Sequence, residues 1–239
     1  MPVSPEQISE PPFARSLNRL IVAIDGPAGA GKSTTARMLA ARLDYSLLDT
    51  GAIYRTLALL ARRAQISWDD GPQVAGLAAT LDIRFVLDGR VNRVFVGAAQ
   101  MTDLIRTPDI SEGASRVSAL PEVRAALLEL QRRLGEKGGV VVEGRDIGTV
   151  VFPAAVAKFY LTAAPEERAR RRADELQAAG RPADVSVVLA EILARDHRDM
   201  SRAVAPLKRA DDAIEIDSSQ VAAEAVVDIM AARIRALGG

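Results

Sequence analysis

Short apolar runs alternate with longer stretches of helical periodicity along most of this chain. Residues 20–24 form an apolar run, the pattern of a strand buried on both faces. Ala36, Leu39, Ala40 and Leu43 then recur at helical spacing, which predicts a helix beginning near Lys32. A second amphipathic helix is expected over 52–64. Residues 82–96 break the pattern. DIRFVL, then Asp88-Gly89, then RVNRVFV reads as a β-hairpin with a tight turn. Ile83, Phe85 and Leu87 alternate on one face, as do Val94 and Val96. Helices are expected at 108–118 and 121–135. Gly138-Gly139 introduces Val140-Val141-Val142, a second buried strand, with a third at 157–161 and a fourth at 213–216. Between the last two lie Arg-rich helical segments at 164–179 and 184–200, separated by AAGRPAD, and a helix at 220–236 follows. This alternation predicts an α/β fold: a central, mostly parallel sheet flanked by helices on both faces, with a small antiparallel insertion.

The length of 239 residues suits one such domain with small appendages. Lys plus Arg equals Asp plus Glu, so the formal net charge is zero. A general binder of nucleic-acid polymers or membrane surfaces would usually be basic, so both are disfavoured. The balance hides an asymmetry. The only lysines are Lys32, Lys137, Lys158 and Lys208, and all other basic residues are arginine. Codon usage explains such an excess, and so does a set of planar forks gripping phosphate. The absence of cysteine suits a reducing cytosol. No apolar run approaches the ~20 residues of a membrane span. Residues 1–16 lack the basic start and apolar stretch of a signal peptide. Their prolines and polar residues predict a loose tail ahead of one domain over 17–239.

Directly after the first strand, Gly26, Pro27, Ala28, Gly29, Ala30, Gly31, Lys32 and Ser33 fit G-x-x-x-x-G-K-[ST]. Glycines let the backbone curl so that several N–H groups face one anion, and the helix adds its positive N-terminus. The lysine reaches the β/γ-phosphates and the serine hydroxyl can ligate Mg²⁺. The motif does not say what becomes of the phosphate. A guanine-specific GTPase needs Asn-Lys-x-Asp, but the only asparagines, Asn18 and Asn92, are each followed by Arg. A motor ATPase shows a strand ending in Asp-Glu, whereas Val142-Glu143 continues Gly-Arg-Asp. A small kinase is left.

Such a kinase must hold two anions together and neutralise the charge between them. Four clusters could do so. In Asp49-Thr50-Gly51-Ala52-Ile53-Tyr54-Arg55, Thr50 is an N-cap or a ligand contact, and Arg55 faces ligand or solvent. Glu143-Gly144-Arg145-Asp146 follows a buried strand, and α/β proteins bind ligands at the carboxyl ends of parallel strands. Arg195, Asp199 and Arg202 share a helical face at i, i+4, i+7; spacing alone favours a self-paired, exposed helix. In PEERARRRADEL, Glu166 and Glu167 precede Arg170 and Arg171 by four. This is an exposed ion-pair ladder or a lid that swings arginines over a nucleotide. The single histidine, His197, is expected on a helix surface rather than as a base.

Together, DGPAGAGKST, LLDTGAIYR at 47–55, EGRDIGTVVFP at 143–153 and RDHRDMSRAVAPL at 195–207 resemble bacterial cytidylate kinases in order and spacing. The resemblance runs from about residue 20 to the C-terminus. It implies a phosphate-loop kinase with a β-containing insert in a monophosphate-binding region at about 50–118 and a helical lid at about 164–182. It also implies transfer of the γ-phosphoryl group of ATP to CMP or dCMP, with Mg²⁺ at Ser33, in a cytoplasmic monomer. Residues 26–34, including Thr34, should hold the ATP phosphates, with Arg171 from the lid. Thr50, Arg55, Ser115, Arg124, Arg145, Asp146, Asp199 and Arg202 should form the CMP site. Lys32, Arg145, Arg195 and Arg202 should act on the transferring group. A kinase for another small acceptor, such as a metabolite alcohol, and a regulatory module that hydrolyses NTP slowly are the alternatives.

Overall fold

The computed structural model describes residues 20–89, 91–178 and 180–238. The expected tail at 1–16 lies outside them. Five parallel strands form the main sheet: β1 (Ile21–Asp25), β2 (Ser46–Asp49), β6 (Val140–Glu143), β7 (Ala157–Thr162) and β8 (Ile214–Asp217), in the order β2-β6-β1-β7-β8. Helices α1 (Lys32–Leu43) and α8 (Ala223–Gly238) pack together on one face. Helices α2 (Thr50–Arg63), α3 (Gly71–Ala79), α4 (Pro108–Val117) and α5 (Pro121–Gly135) contribute to the core on the other.

Alternation along each strand builds both cores. Val22 and Ile24 of β1, Leu47 of β2 and Val141 of β6 join the α1/α8 core. Their neighbours Ala23, Leu48, Val140 and Val142 join the α2–α5 core. A central parallel strand is covered on both faces, which is why its sequence is continuously apolar.

The 82–96 insertion is a hairpin of β3 (Ile83–Asp88) and β4 (Val91–Val96), extended by the two-residue β5 (Ala99–Gln100). Asp88 pairs with Val91, so it stays in the strand, and Gly89, at φ 54, opens the turn. Ile83 and Val94 are buried, as the alternation predicts.

Four elements are not evident from the pattern. β2 has only two apolar residues, and it forms because its backbone pairs with β6 at the sheet edge. α3 starts Gly-Pro and holds a further glycine, Gly76; packing on α5 outweighs its poor helix propensity. β5 is only two residues long. The fourth is a single π-helical turn at Ile147–Val151, directly after Asp146.

Candidate active site

The carboxyl ends of β1, β6 and β2 open into one cleft of about 1140 Å³, somewhat above the ~300–1,000 Å³ of a pocket for one small ligand. One side is the glycine-rich loop. Gly26 has φ 146, and a Cβ there would lie 1.9 Å from the Leu161 carbonyl oxygen, so β7 excludes any side chain. Gly31, at φ 87, is the left-handed N-cap of α1 and aims the helix N-terminus into the cleft. Lys32 folds over the loop, its Nζ donating to the Pro27 carbonyl at 2.6 Å. Burial, then the neighbouring Arg145, pushes the Lys32 amine well below its usual range. The Ser33 hydroxyl donates to Glu143 Oε2 at 2.9 Å. Glu143 is buried beside Asp49 and is pushed up to about 7, burial being the larger cause.

The opposite wall is built from side chains. Asp49 caps α2, its Oδ1 accepting from the Ala52 amide at 2.9 Å, while Arg55 Nη2 donates to Oδ2 at 2.7 Å. The N-cap is therefore Asp49 and not Thr50. Thr50 is the first helical residue, and its hydroxyl donates to the Glu143 carbonyl at 2.8 Å. Arg145 Nε donates to Asp199 Oδ2 at 2.9 Å. Asp146 pairs with Arg124, and Arg202 Nη2 reaches its other oxygen at 3.4 Å. The Arg124 guanidinium also lies 5.8 Å from the Tyr54 ring centroid, within cation–π range.

Helix α7 (Val185–Ser201) turns its Arg195/Asp199 face into this cleft. The exposed helix favoured by spacing does not form: Asp199 is 5% exposed and bonds Arg145 across the cleft, with Arg202 only at 4.0 Å. Arg202 is not on that helical face either. α7 ends at Ser201, and extended backbone at Arg202 (φ −63, ψ 140) brings its side chain to Asp146. Burial opposes ionisation of Asp199, but Arg145, Arg195 and Arg202 together hold it below the usual carboxylate range. Burial pushes Asp146 up against three opposing arginines. Burial, with Arg145 close by, lowers Arg195 to about 10. Its Nε, like those of Arg55 and Arg124, is buried without a hydrogen-bond partner among the described residues. Guanidinium groups left this way fit a ligand that brings negative charge.

Helix α6 (Pro165–Ala178) carries the expected ion-pair ladder. Arg170 pairs with Glu167 at 2.7 Å and Arg172 with Glu175 at 3.0 Å, all four at the cleft's edge. Arg171 faces inward, its Nη1 donating to Ser218 Oγ at 3.2 Å, and Ser218 donates to the Ala30 carbonyl of the loop at 3.1 Å. Ala169 and Ala173 pack on Val188 and Ile192 of α7 in a small separate core.

Of the residues expected at the site, Ser33, Thr34, Thr50, Arg55, Arg124, Arg145, Asp146, Arg171, Arg195, Asp199 and Arg202 line the cleft together with Lys32. Gly26, Pro27 and Ser115 do not; Ser115 is buried between the lining residues Ala114 and Ser118, with its hydroxyl unpaired among the described residues. Three residues at or directly behind the cleft carry no role assigned from the sequence. Arg168 donates to Ala28 O at 2.9 Å and to Asp196 at 2.6 Å, joining the loop to α7. Its only cue is its place beside the inward-facing Ala169. Asp25 and Asp49 end their strands at the mouth of the sheet, and that position was the available signal. His197 is exposed on α7, as expected.

Ser33 and Glu143 present a hydroxyl and a carboxylate, hard oxygen donors that suit Mg²⁺. Among the described residues, no group of three or more His, Cys, Asp or Glu side chains forms a self-sufficient metal cage.

The sequence model of a family described as cytidylate kinase matches residues 22–236. The cytidylate kinase of Geobacter sulfurreducens is 51% identical over 216 residues, covering 90% of this chain and 93% of that protein. That of Pseudomonas paraeruginosa is 51% identical over 210 residues, covering 87% and 92%. An uncharacterized protein from Eubacterium ventriosum superposes with a TM-score of 0.50 at 13% identity, covering 90% of this chain and 98% of its own; that likeness concerns the fold alone.

Proposed function

The chain belongs to the cytidylate kinase family, and on that premise we propose that it transfers the γ-phosphoryl group of ATP to CMP or dCMP, giving ADP and CDP or dCDP. One observation carries the reading: a glycine-rich phosphate loop and a wall of incompletely paired arginines face each other across one cleft. In-line phosphoryl transfer needs that arrangement, because its catalysis is mostly positioning and charge neutralisation.

Residues 26–34 hold the donor phosphates, with Arg171 on the lid side at about 164–182. Lys32, Arg145, Arg195 and Arg202 neutralise charge as the γ-phosphoryl group moves. Thr50, Arg55 and Arg145 take the acceptor phosphate, and Asp199 takes the sugar. Asp146, Arg124 and Arg202, with the Ser115 hydroxyl behind them, read the base. Cytosine offers an amino donor beside a ring-nitrogen acceptor, which a carboxylate and a guanidinium match. Uracil reverses that pattern and would leave buried groups unpaired, the costly case. The hairpin insert belongs to the monophosphate-binding region at about 50–118. The separate α6/α7 core supports movement of the lid as a unit, which would keep water from the γ-phosphate. Ser33, its hydroxyl oriented by Glu143, would hold Mg²⁺, which would supply charge neutralisation for the donor phosphates.

Among the described residues no helix is long and apolar enough to cross a membrane. From the family likeness we expect a monomer working in the cytoplasm, with ATP and a nucleoside monophosphate as partners. A coupled assay tests the reading. With ATP and Mg²⁺, ADP release should depend on CMP or dCMP and be weak with AMP or GMP. Acceptor-independent hydrolysis, or no turnover with CMP, would overturn it.

A further inference from the structure

Asp146 sits at the N-cap of the π-helical turn Ile147–Val151, and aspartate is among the best capping residues. Yet its side chain makes no capping bond. Its backbone (φ −142, ψ 26) turns the carboxylate away, and both oxygens face Arg124 and Arg202. The first amides of a helical turn have no acceptor within it and must find one elsewhere. They find Asp25. Its Oδ1 accepts from the Ile147 amide and its Oδ2 from the Gly148 amide, each at 2.8 Å. Asp25 is 4% exposed, ends β1 and directly precedes Gly26. The distal end of the turn is held from α5, where Arg132 donates to the Val150 and Val151 carbonyls.

We propose that Asp25 is a positioning residue that caps the Asp146 turn from a distant strand and so leaves the Asp146 carboxylate free to face the acceptor base. The cap has a second consequence. Because Asp25 is covalently continuous with the phosphate loop, its bonds set the distance between the donor side and the Arg145–Asp146 pair. Without Asp25's two acceptors, Asp146, already the N-cap residue, would be placed to cap its own turn. Rotating back to do so would take it from Arg124 and Arg202. An asparagine at 25 keeps the shape but offers one acceptor and turns an amide donor toward an amide.

This inference rests on the base-reading role proposed for Asp146, and a double-mutant cycle separates the two. Asp25→Asn is compared in the wild-type and Asp146→Asn backgrounds, by coupled ADP release with CMP and with UMP. KM for CMP should rise about tenfold, the size of a lost cap, and the CMP-over-UMP ratio should fall with it. KM for ATP should change less than about twofold, and in the Asp146→Asn background Asp25→Asn should add almost nothing, as expected for two residues acting through one contact. Additive losses, or equal losses with CMP and UMP, would show that Asp25 merely supports the fold. If Asp25→Asn gives no folded protein, hydrogen exchange on the wild type decides. The Ile147 and Gly148 amides should be as protected as those of β6, and rapid exchange would sink the cap. Absence of wild-type turnover with CMP would refute the functional reading, and the exchange measurement would still judge the cap.

Discussion

The two sides of the cleft are made in opposite ways. The glycine-rich loop is consecutive, and it works through backbone: left-handed glycines, a helix N-terminus and small side chains at Ala28 and Ala30. The facing wall takes Arg55 from α2, Arg124 from α5, Arg145 and Asp146 from the end of β6, and Arg195, Asp199 and Arg202 from α7 and its end. It works through guanidinium and carboxylate groups. Backbone amides bind a phosphate whatever base it carries, so a loop of this kind settles the chemistry and little else. Side chains with directional donors and acceptors can tell one base from another. The wall also carries a cost the loop does not. Buried ion pairs such as Arg124–Asp146 and Arg145–Asp199 lose much of their Coulomb energy to desolvation. They are poor stabilisers and make sense as a ligand surface.

The sharpest way to break this contrast is Lys32→Ala. The lysine is the loop's one charged side chain, and its loss should cut kcat with CMP by about 10³-fold, while circular dichroism shows an intact fold. A modest loss would mean that the wall arginines neutralise the transferring group unaided. Gly26→Ala comes next and acts on stability. Forcing a Cβ against the Leu161 carbonyl should cost about 3 kcal/mol, the upper range for overpacking. Thermal melting should register that as a fall of about 6–12 °C. An unchanged melting temperature would mean that β7 yields, and that the loop is softer than its geometry implies.

Asp199→Ala probes the wall. It leaves Arg145 without the carboxylate it bonds, and KM for CMP should rise about 10–100-fold, as for loss of a charged hydrogen bond. KM for ATP should stay within about twofold, since the loop is untouched. A collapse of ATP affinity instead would show that α7 serves the donor. The smallest effect is a dependence on pH. Burial, and Asp146 nearby, push Asp25 up to about 6 against the Ile147 and Gly148 amides and Lys32. Between about pH 4 and 6 the folded protein therefore keeps a proton that the unfolded chain has released. The resulting stability is whole below that window and is lost as pH rises through about 6, at no more than ~1.4 kcal/mol per pH unit. Asp25→Asn does not titrate at this position, so the stability difference between wild type and variant should shrink across that window. Parallel stability curves would mean that Asp25 is ionised throughout.

Most elements are legible because they are local or strongly periodic. β1 and β6 are apolar runs up to their last residue, β7 is apolar but for Lys158 and Thr162, and α1 and α7 carry apolar residues at helical spacing. β2 and α3 are not legible, because pairing with β6 and packing on α5 form them against weak local signals. The π-helical turn is invisible for the same reason: its first amides are satisfied by Asp25, 122 and 123 residues away.

The site divides likewise. Gly26 to Ser33 state their purpose in eight consecutive letters, since positive φ, close backbone approach and a helix start all depend on near neighbours. Residue type, order and resemblance also nominate the wall. Its arrangement is another matter. Arg195, Asp199 and Arg202 have the spacing of a solvated helix face, yet the fold buries Asp199 against Arg145 and ends α7 so that Arg202 can leave the helix. Arg145 and Arg202 meet carboxylates 54 and 56 residues distant, and no local pattern records such partners. The chain thus carries the phosphate loop and the order of its strands in its own neighbouring residues. Only tertiary packing, by satisfying distant backbone and charged groups, decides which carboxylates are spent on holding the fold and which stay free to meet a base.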